Sequence, residues 1–413
     1  MAYMTKKVDL DTLRQRLLLV SVYRNVFNNP FLAALKNLVF CDGGMAALAV
    51  YSQLYAAALK EGAVSGTAGY IEGLLLEDDN PFTRALALSK NIAQPVLDAA
   101  KDELYTFFLL SGLDTDGLID LLDIDCDVKL PEIRCGQCSF LCEDTDRVVE
   151  YSKNYHKARG CGLFVNHAAF VWEEGFKPVL NPDPVTLNDL KGYESQRKRV
   201  VENTESLLAG FRVPNMLLYG DRGTGKSATI HALANEYFDK GLRVVELPKE
   251  RLSDLPEICR ELKELPYKFI LFVDDLSFNN NDLNIGALKT VMEGSFSVKP
   301  QNVAVYATSN RRHLISEKHS DREDDVFSAD LQQELLSFSD RFGITVTFLS
   351  PSKEEYLQIV RGLFADIGIS TDEKILNLAE RWALAAGGRS PRAASQFAYF
   401  MHSRIERGLP LDF

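Results

Sequence analysis

The stretch that most constrains this chain is Gly220-Asp221-Arg222-Gly223-Thr224-Gly225-Lys226-Ser227, set between the apolar run Asn215-Met216-Leu217-Leu218-Tyr219 and a helical pattern from Ala228 to Lys240. Glycine, four residues, then Gly-Lys-Ser is the spacing of a loop that wraps a polyphosphate. The glycines let successive backbone N–H groups curl toward one anion, and the helix that follows adds the positive end of its dipole. On this pattern Gly220, Asp221, Arg222, Gly223, Thr224, Gly225, Lys226, Ser227 and Ala228 form a candidate nucleotide cradle. Lys226 is placed for the β and γ phosphates, and the Ser227 hydroxyl for Mg2+, a hard cation that takes oxygen ligands. A chance glycine turn can match eight residues, but here a strand pattern leads in and a helix pattern leads out.

With 413 residues, 46% hydrophobic and 25% charged, the chain has room for two or three domains with large cores. Its formal charge of −12 weighs against a non-specific grip on nucleic acid, which needs Lys and Arg against phosphates, although a local basic patch stays open. Leu17 to Val22 is too short for a signal peptide. Glycines, Ser52, Gln53 and two tyrosines interrupt the charge-free stretch Gly43 to Leu59, which reads as a soluble helix and not a membrane span. Seven cysteines without an export signal imply reduced thiols and a cytoplasmic protein.

Residues 1 to about 150 read as a helical accessory domain. Apolar residues recur at helical spacing over Leu10–Phe27, Pro30–Phe40, Met45–Lys60, Thr67–Leu75, Pro81–Ser89 and Pro95–Ser111. Asp9, Asn29 and Asn80 stand where N-caps belong. The acidic stretch Gly112–Glu132 contains Asp114-Thr115-Asp116-Gly117, but a Ca2+ loop in that register would need an Asp where Gly112 stands, leaving a solvated helix and loop. Cys135 and Cys138 have metal-ligand spacing, with Cys142 and Cys161 nearby. The second pair of a zinc ribbon is missing, so buried or incidental thiols are the default and a thiolate-bound metal the alternative. Residues 151–185 read as a helix, a strand pair over Gly162–Trp172 and a proline-rich connector.

From Thr186 onward strand-like runs alternate with helices: Asn215–Tyr219, Leu242–Leu247, Lys268–Val273, Asn302–Thr308 and Ile344–Leu349. This alternation predicts an α/β core, residues 186–350, with a parallel sheet binding its ligand at the strands' carboxyl ends. The run Phe269–Val273 delivers Asp274 and Asp275 to that edge, the first to hold Mg2+ and the second to orient an attacking water, unless the pair is only a strand-end turn. Asn310 at the next strand's tip could position the water or start a turn. Arg341, just before the last strand, could reach a neighbouring subunit's γ-phosphate or be an ordinary surface residue. Three helices over residues 351–413 form a candidate lid in which Arg392 could fold over the nucleotide, with Arg389 as the fallback.

Taken in order, these motifs resemble an AAA+ ATPase over about residues 186–407: Walker A (Gly220–Ser227), Walker B (Asp274, Asp275), sensor 1 (Asn310), arginine finger (Arg341) and sensor 2 (Arg392). Leu190-Lys191-Gly192-Tyr193-Glu194, Asp274-Asp275-Leu276-Ser277-Phe278, Ala307 to Leu314 and Ser339-Asp340-Arg341-Phe342-Gly343 further resemble a bacterial AAA+ family known only as domain of unknown function 815. That resemblance implies a P-loop NTPase sheet with strand order 5-1-4-3-2, a C-terminal helical lid, ATP and Mg2+ at a subunit boundary, and a homo-oligomeric ring or filament. It also implies that Leu187–Tyr193 contacts adenine. Asp275 departs from the usual second Walker B residue, Glu, and is one methylene shorter. Three functions compete: an ATP-hydrolysing machine that remodels a protein or protein–nucleic acid partner recruited by the N-terminal domain, an initiator- or loader-like switch with little turnover, and, least supported, a small-molecule kinase.

Overall fold

The computed structural model describes residues 9–124, 126–276, 300–310 and 342–411. The chain forms two compact units, Met1–Asn166 and His167–Phe413.

The first unit is helical: α1 (Leu10–Leu19), α2 (Pro30–Val39), α3 (Gly44–Lys60), α4 (Thr67–Glu77), α5 (Pro81–Ala87), α6 (Gln94–Ser111), α7 (Thr115–Leu122) and α8 (Thr145–Arg159). Asp9, Asn29 and Asn80 each accept backbone N–H groups of the first turn they precede, which satisfies donors a helix start leaves over. Asp114 does the same for α7 through Gly117, so that acidic stretch is a capped helix. The helix expected over Leu10–Phe27 stops at Leu19 and resumes as a 3-10 turn, Arg24–Asn28. The cause is Glu103 on α6. Its buried carboxylate accepts from the backbone N–H groups of Ser21, Val22 and Tyr23 and from the Ser21 hydroxyl, at 2.8–2.9 Å, and so claims the donors that a continuous helix would use. Glu72 on α4 plays the same part for Ser139, Phe140 and Leu141. Six of the seven cysteines sit in this unit's irregular segments, and Cys259 lies on a helix of the second unit. Cys138 lies 3.4 Å from the Ser111 hydroxyl, and burial pushes the Cys135 thiol up to about 11. Among the described residues, no group of three His, Cys, Asp or Glu is placed to hold a metal ion.

The second unit is built on one sheet: β1 (Ala169–Trp172), β2 (Phe176–Pro178), β3 (Met216–Gly220), β4 (Leu242–Glu246), β5 (Lys268–Val273), β6 (Val303–Ser309) and β7 (Ile344–Phe348). Their order is β2-β1-β4-β5-β6-β3-β7, with every pairing parallel except β1 with β2. The last five strands in chain order therefore stand 5-1-4-3-2, and the sheet runs on by two strands beyond the expected order. The expected strand pair is also displaced. Gly162–Phe164 is a 3-10 turn, and the hairpin forms across Glu173–Gly175, where Phe170 and Trp172 alternate inward. The segment read as a connector thus extends the sheet edge, with β1 parallel to β4.

Helices α9 (Glu194–Leu208), α10 (Lys226–Glu236) and α11 (Leu255–Leu262) cross between strands. Apart from Lys268 at the start of β5, β5 and β6 are buried, as strands of a parallel sheet covered by helices are, which is why they read as apolar runs. After β7, α12 (Lys353–Asp366), α13 (Glu373–Ala385) and α14 (Pro391–Glu406) pack about their own core, centred on Tyr356, Phe364, Ala379 and Phe397. Among the described residues no helix is long and apolar enough to cross a membrane.

Replacing Glu103 with alanine strands four donors around Ser21–Tyr23. Glu103→Ala is expected to cost the helical unit about 3 kcal/mol in chemical denaturation, and Glu103→Gln less. A loss below about 0.5 kcal/mol, within the range of ordinary surface changes, would show that packing alone holds the segment.

Candidate nucleotide site

The loop leaves the sheet at Gly220, at the end of β3, which lies between β6 and the edge strand β7. Gly220 has φ +140°, and a Cβ there would sit 1.9 Å from the Phe348 carbonyl oxygen. Only glycine lets the strand approach β7 so closely at the point where the loop turns away. Gly223 and Gly225 follow with φ +74° and +91°, the left-handed conformations that turn consecutive N–H groups to one side. Gly225 then hands the chain to α10, whose first residues are Lys226, Ser227 and Ala228.

Lys226 is 6% exposed, and its ammonium donates to the carbonyl oxygens of Gly220 (2.9 Å) and Asp221 (2.8 Å) and to Asn310 Oδ1 (3.1 Å). Burial lowers its pKa from the ordinary lysine value, against the pull of Asp221, Asp274 and Asp275. Asn310 turns its other side-chain atom outward along the sheet edge, where Nδ2 donates to Asp275 Oδ1 at 2.7 Å. One amide thus bridges the loop lysine and the second aspartate. A parallel chain runs beside it: the Ser227 hydroxyl donates to Asp274 Oδ1 at 2.6 Å, and the Thr308 hydroxyl donates to the same oxygen.

Thr308 was not singled out in the sequence. Its hydroxyl also accepts the Asp275 N–H at 2.9 Å, so it pins the turn that carries both acids. That turn is tight: Asp275 adopts φ +49°, a left-handed conformation in which Asp is better tolerated than most residues. A threonine two positions before the polar strand tip was the available clue, hidden in an otherwise apolar run. Ser227 and Asp274 together offer hard oxygen donors at one point, the donor set that Mg2+ prefers.

The lid reaches the loop directly. Arg392 lies in the first turn of α14, where its backbone N–H donates to the Gly223 carbonyl at 3.1 Å. Ser390 and Arg392 stand close enough to Gly223 that a side chain there would crowd them. Arg389, by contrast, is engaged by Glu380 within the lid. Asp221 turns away from the loop to accept the N–H and hydroxyl of Ser350 at 2.6 and 2.7 Å, which hold its carboxyl below the usual carboxylate range. Arg341 lies outside the described residues, as does the helix expected over Leu331–Phe338.

A cavity of about 50 Å³ opens between Asp189, Lys191 and Arg197 on one side, Thr224 and Gly225 of the loop on a second, and Ile359, Leu363 and Ser395 of the lid on a third. Leu190, within the segment expected to contact a purine, lines it as well. The lid contributors could not be found from sequence, because nothing in their spacing separates them from ordinary helix faces. The lining mixes the apolar Leu190, Ile359, Leu363 and Pro391 with the charged Asp189, Lys191 and Arg197, and it ends at the glycine loop.

The family described as "Protein of unknown function (DUF815)" matches residues 165–405. Among curated proteins, the chain is similar to the 26S proteasome regulatory subunit 4 homolog of Saccharomyces cerevisiae, 28% identical over 141 residues, which is 28% of this chain and 32% of that protein. It is also similar to the replication factor C large subunit of Methanococcus vannielii, 28% identical over 135 residues, covering 30% of this chain and 25% of the relative. The match thus spans about a third or less of these relatives. Among solved structures, the Thermotoga maritima RuvB Holliday junction branch migration motor aligns over 54% of this chain and 66% of its own, at 14% identity and a TM-score of 0.37.

Gly220→Ala places a methyl against the Phe348 carbonyl at the root of the loop. The substitution is expected to destabilise the sheet unit by about 3 kcal/mol, read as an earlier denaturation transition. A stability unchanged to within about 0.5 kcal/mol would mean that β3 and β7 are not in this close register.

Proposed function

The chain belongs to the DUF815 family, and from that premise we propose that it is an AAA+ ATPase that binds MgATP on the Gly220–Ser227 loop and hydrolyses it to remodel a protein or protein–nucleic acid partner. The observation that carries this reading is the convergence, at the carboxyl edge of one parallel sheet, of Lys226, Asn310 and Asp275 in one hydrogen-bonded chain and Ser227 with Asp274 in another. A fold that only needed a turn there would have no reason to place a buried lysine and two acids around one glycine loop.

In this reading the loop N–H groups and Lys226 hold the phosphates, and the base and sugar enter the cleft beside Asp189, Thr224 and Ile359. Ser227 and Asp274 hold Mg2+, which when bound neutralises the phosphate charge. Asp275 orients the attacking water, and Asn310 fixes the direction of its carboxylate. Arg341 of a neighbouring copy spreads charge off the transition state, so the active unit is a homo-oligomer. Arg392, already at the loop through its backbone, covers the nucleotide from the lid. The helical unit recruits the partner, and the work is cytoplasmic, where the cysteines stay reduced.

One observation favours the second reading, a nucleotide-gated assembly switch with little turnover. The carboxylate at the strand end is the short Asp275, which Asn310 holds at 2.7 Å on a left-handed turn.

Mg2+-dependent ATP hydrolysis by the full chain should rise with protein concentration and fall sharply in Arg341→Ala. Asp275→Asn should retain MgATP and lower turnover by about 100-fold or more. Turnover in the natural protein no faster than in Asp275→Asn would select the switch, and hydrolysis by Arg341→Ala at the natural rate would remove the arginine from the site.

A further inference from the structure

The second residue of the phosphate loop makes contacts that phosphate binding does not require. The Asp221 carboxylate accepts both the N–H (2.6 Å) and the hydroxyl (2.7 Å) of Ser350, 129 positions away. Ser350 belongs to the short link Leu349–Ser352 between β7 and α12, where Ser352 begins the lid with a capping box. The backbone N–H of Asp221 donates at 2.9 Å to the carbonyl of Phe348, the last residue of β7 before the link. Its carbonyl accepts from Lys226 at 2.8 Å and from the Thr224 hydroxyl at 2.8 Å. Among the described residues, these polar contacts of Asp221 join the loop lysine and its loop to the link that carries the lid.

From these contacts we infer that Asp221 is a positioning residue that latches the lid hinge at Ser350 and transmits the state of Lys226 to the lid. The inference rests on the proposed binding of MgATP at Lys226. When the ammonium turns to phosphate oxygens it exchanges its bonds to the carbonyls of Gly220 and Asp221, the peptide groups on either side of the Asp221 α-carbon. The carboxylate is fixed to Ser350 by two short bonds, so a rotation of that peptide moves the hinge. A second set of contacts gives the lid a pivot. Lys191 pairs with Asp366 at 2.8 Å, and Gly192 approaches Ile359 so closely that a Cβ would lie 2.9 Å from it, which fixes α12 along its length against the segment 189–193. With α12 held on that side and Ser350 held by the loop, a change at Asp221 acts at the hinge end of the helix, and the Arg392 contact with Gly223 at the far end of the lid must follow. The link is a continuous set of hydrogen-bonded groups, the physical form that coupling between sites takes.

The test uses the full chain with paired distance labels introduced as non-natural amino acids at exposed Arg260 on α11 and exposed Glu373 on α13. Binding is followed separately by equilibrium dialysis, without magnesium-free or truncated forms. MgATP should shift the label distance, whereas AMP, which can fill the cleft without reaching Lys226, should not. The MgATP shift should be lost in Asp221→Ala at saturating nucleotide, kept in Asp221→Asn, which still offers an acceptor to Ser350, and reduced in Ser350→Ala. A natural protein that binds MgATP without a shift, an equal shift with AMP, or a full shift in MgATP-loaded Asp221→Ala would each overturn the latch. Failure of the natural protein to bind MgATP at all would instead remove the proposed function, and the latch with it.

Discussion

The site depends on how closely β3 and β7 approach at Gly220 and Phe348. A hydrogen there in place of a side chain lets the two strands meet where a Cβ would lie 1.9 Å from a carbonyl oxygen. The loop must then turn away from the sheet at that point, and the lid must begin within a few residues of it. From this one contact follow the position of Lys226 at the start of α10, the reach of Asp221 to Ser350, and the placement of Arg392 beside Gly223. Parallel sheets bring loops of distant origin to one edge, and here the close approach of Gly220 to Phe348 lies at the root of the glycine loop.

Around that root the polar groups form a connected set. Lys226 is buried, and a buried ammonium without acceptors is costly, so two loop carbonyls and Asn310 supply them. Asn310 accepts from the lysine through its amide oxygen and donates to Asp275 through its amide nitrogen. Thr308 does the corresponding service for Asp274 and for the backbone of Asp275. Because each member satisfies its neighbour, Asp274 and Asp275 are held in place beside the loop. The same economy in the helical unit, where Glu72 and Glu103 satisfy loop N–H groups, serves only to fix the chain.

Much of this was legible in the sequence, for identifiable reasons. The five strands from Asn215 to Leu349 announced themselves because a sheet covered on both faces reads as continuous apolar runs, and the glycine loop because its φ values admit almost nothing else. N-caps at Asp9, Asn29 and Asn80 were readable because the donors they satisfy are local. What escaped reading was set by distant partners. The helix at Leu10 breaks at Leu19 because a carboxylate 80 positions away at Glu103 takes its donors, and no local pattern carries that information. The two edge strands were misplaced because β1 is only four residues long and its pairing with β4 is long-range. Thr308 and Ser350 were passed over for the same reason: each is an ordinary residue whose partner lies far away in the chain.

Whether Lys226 and its loop form the proposed nucleoside triphosphate site is decided by isothermal titration of the full chain with MgATP, set beside the same titration of Lys226→Ala. One MgATP per chain should bind the natural protein, and Lys226→Ala, folded by circular dichroism, should bind at least about tenfold more weakly, the loss expected for a charge-assisted hydrogen bond. Equal affinity in the two proteins, or no heat of binding to the natural chain at any nucleotide concentration up to the millimolar range, would contradict the assignment.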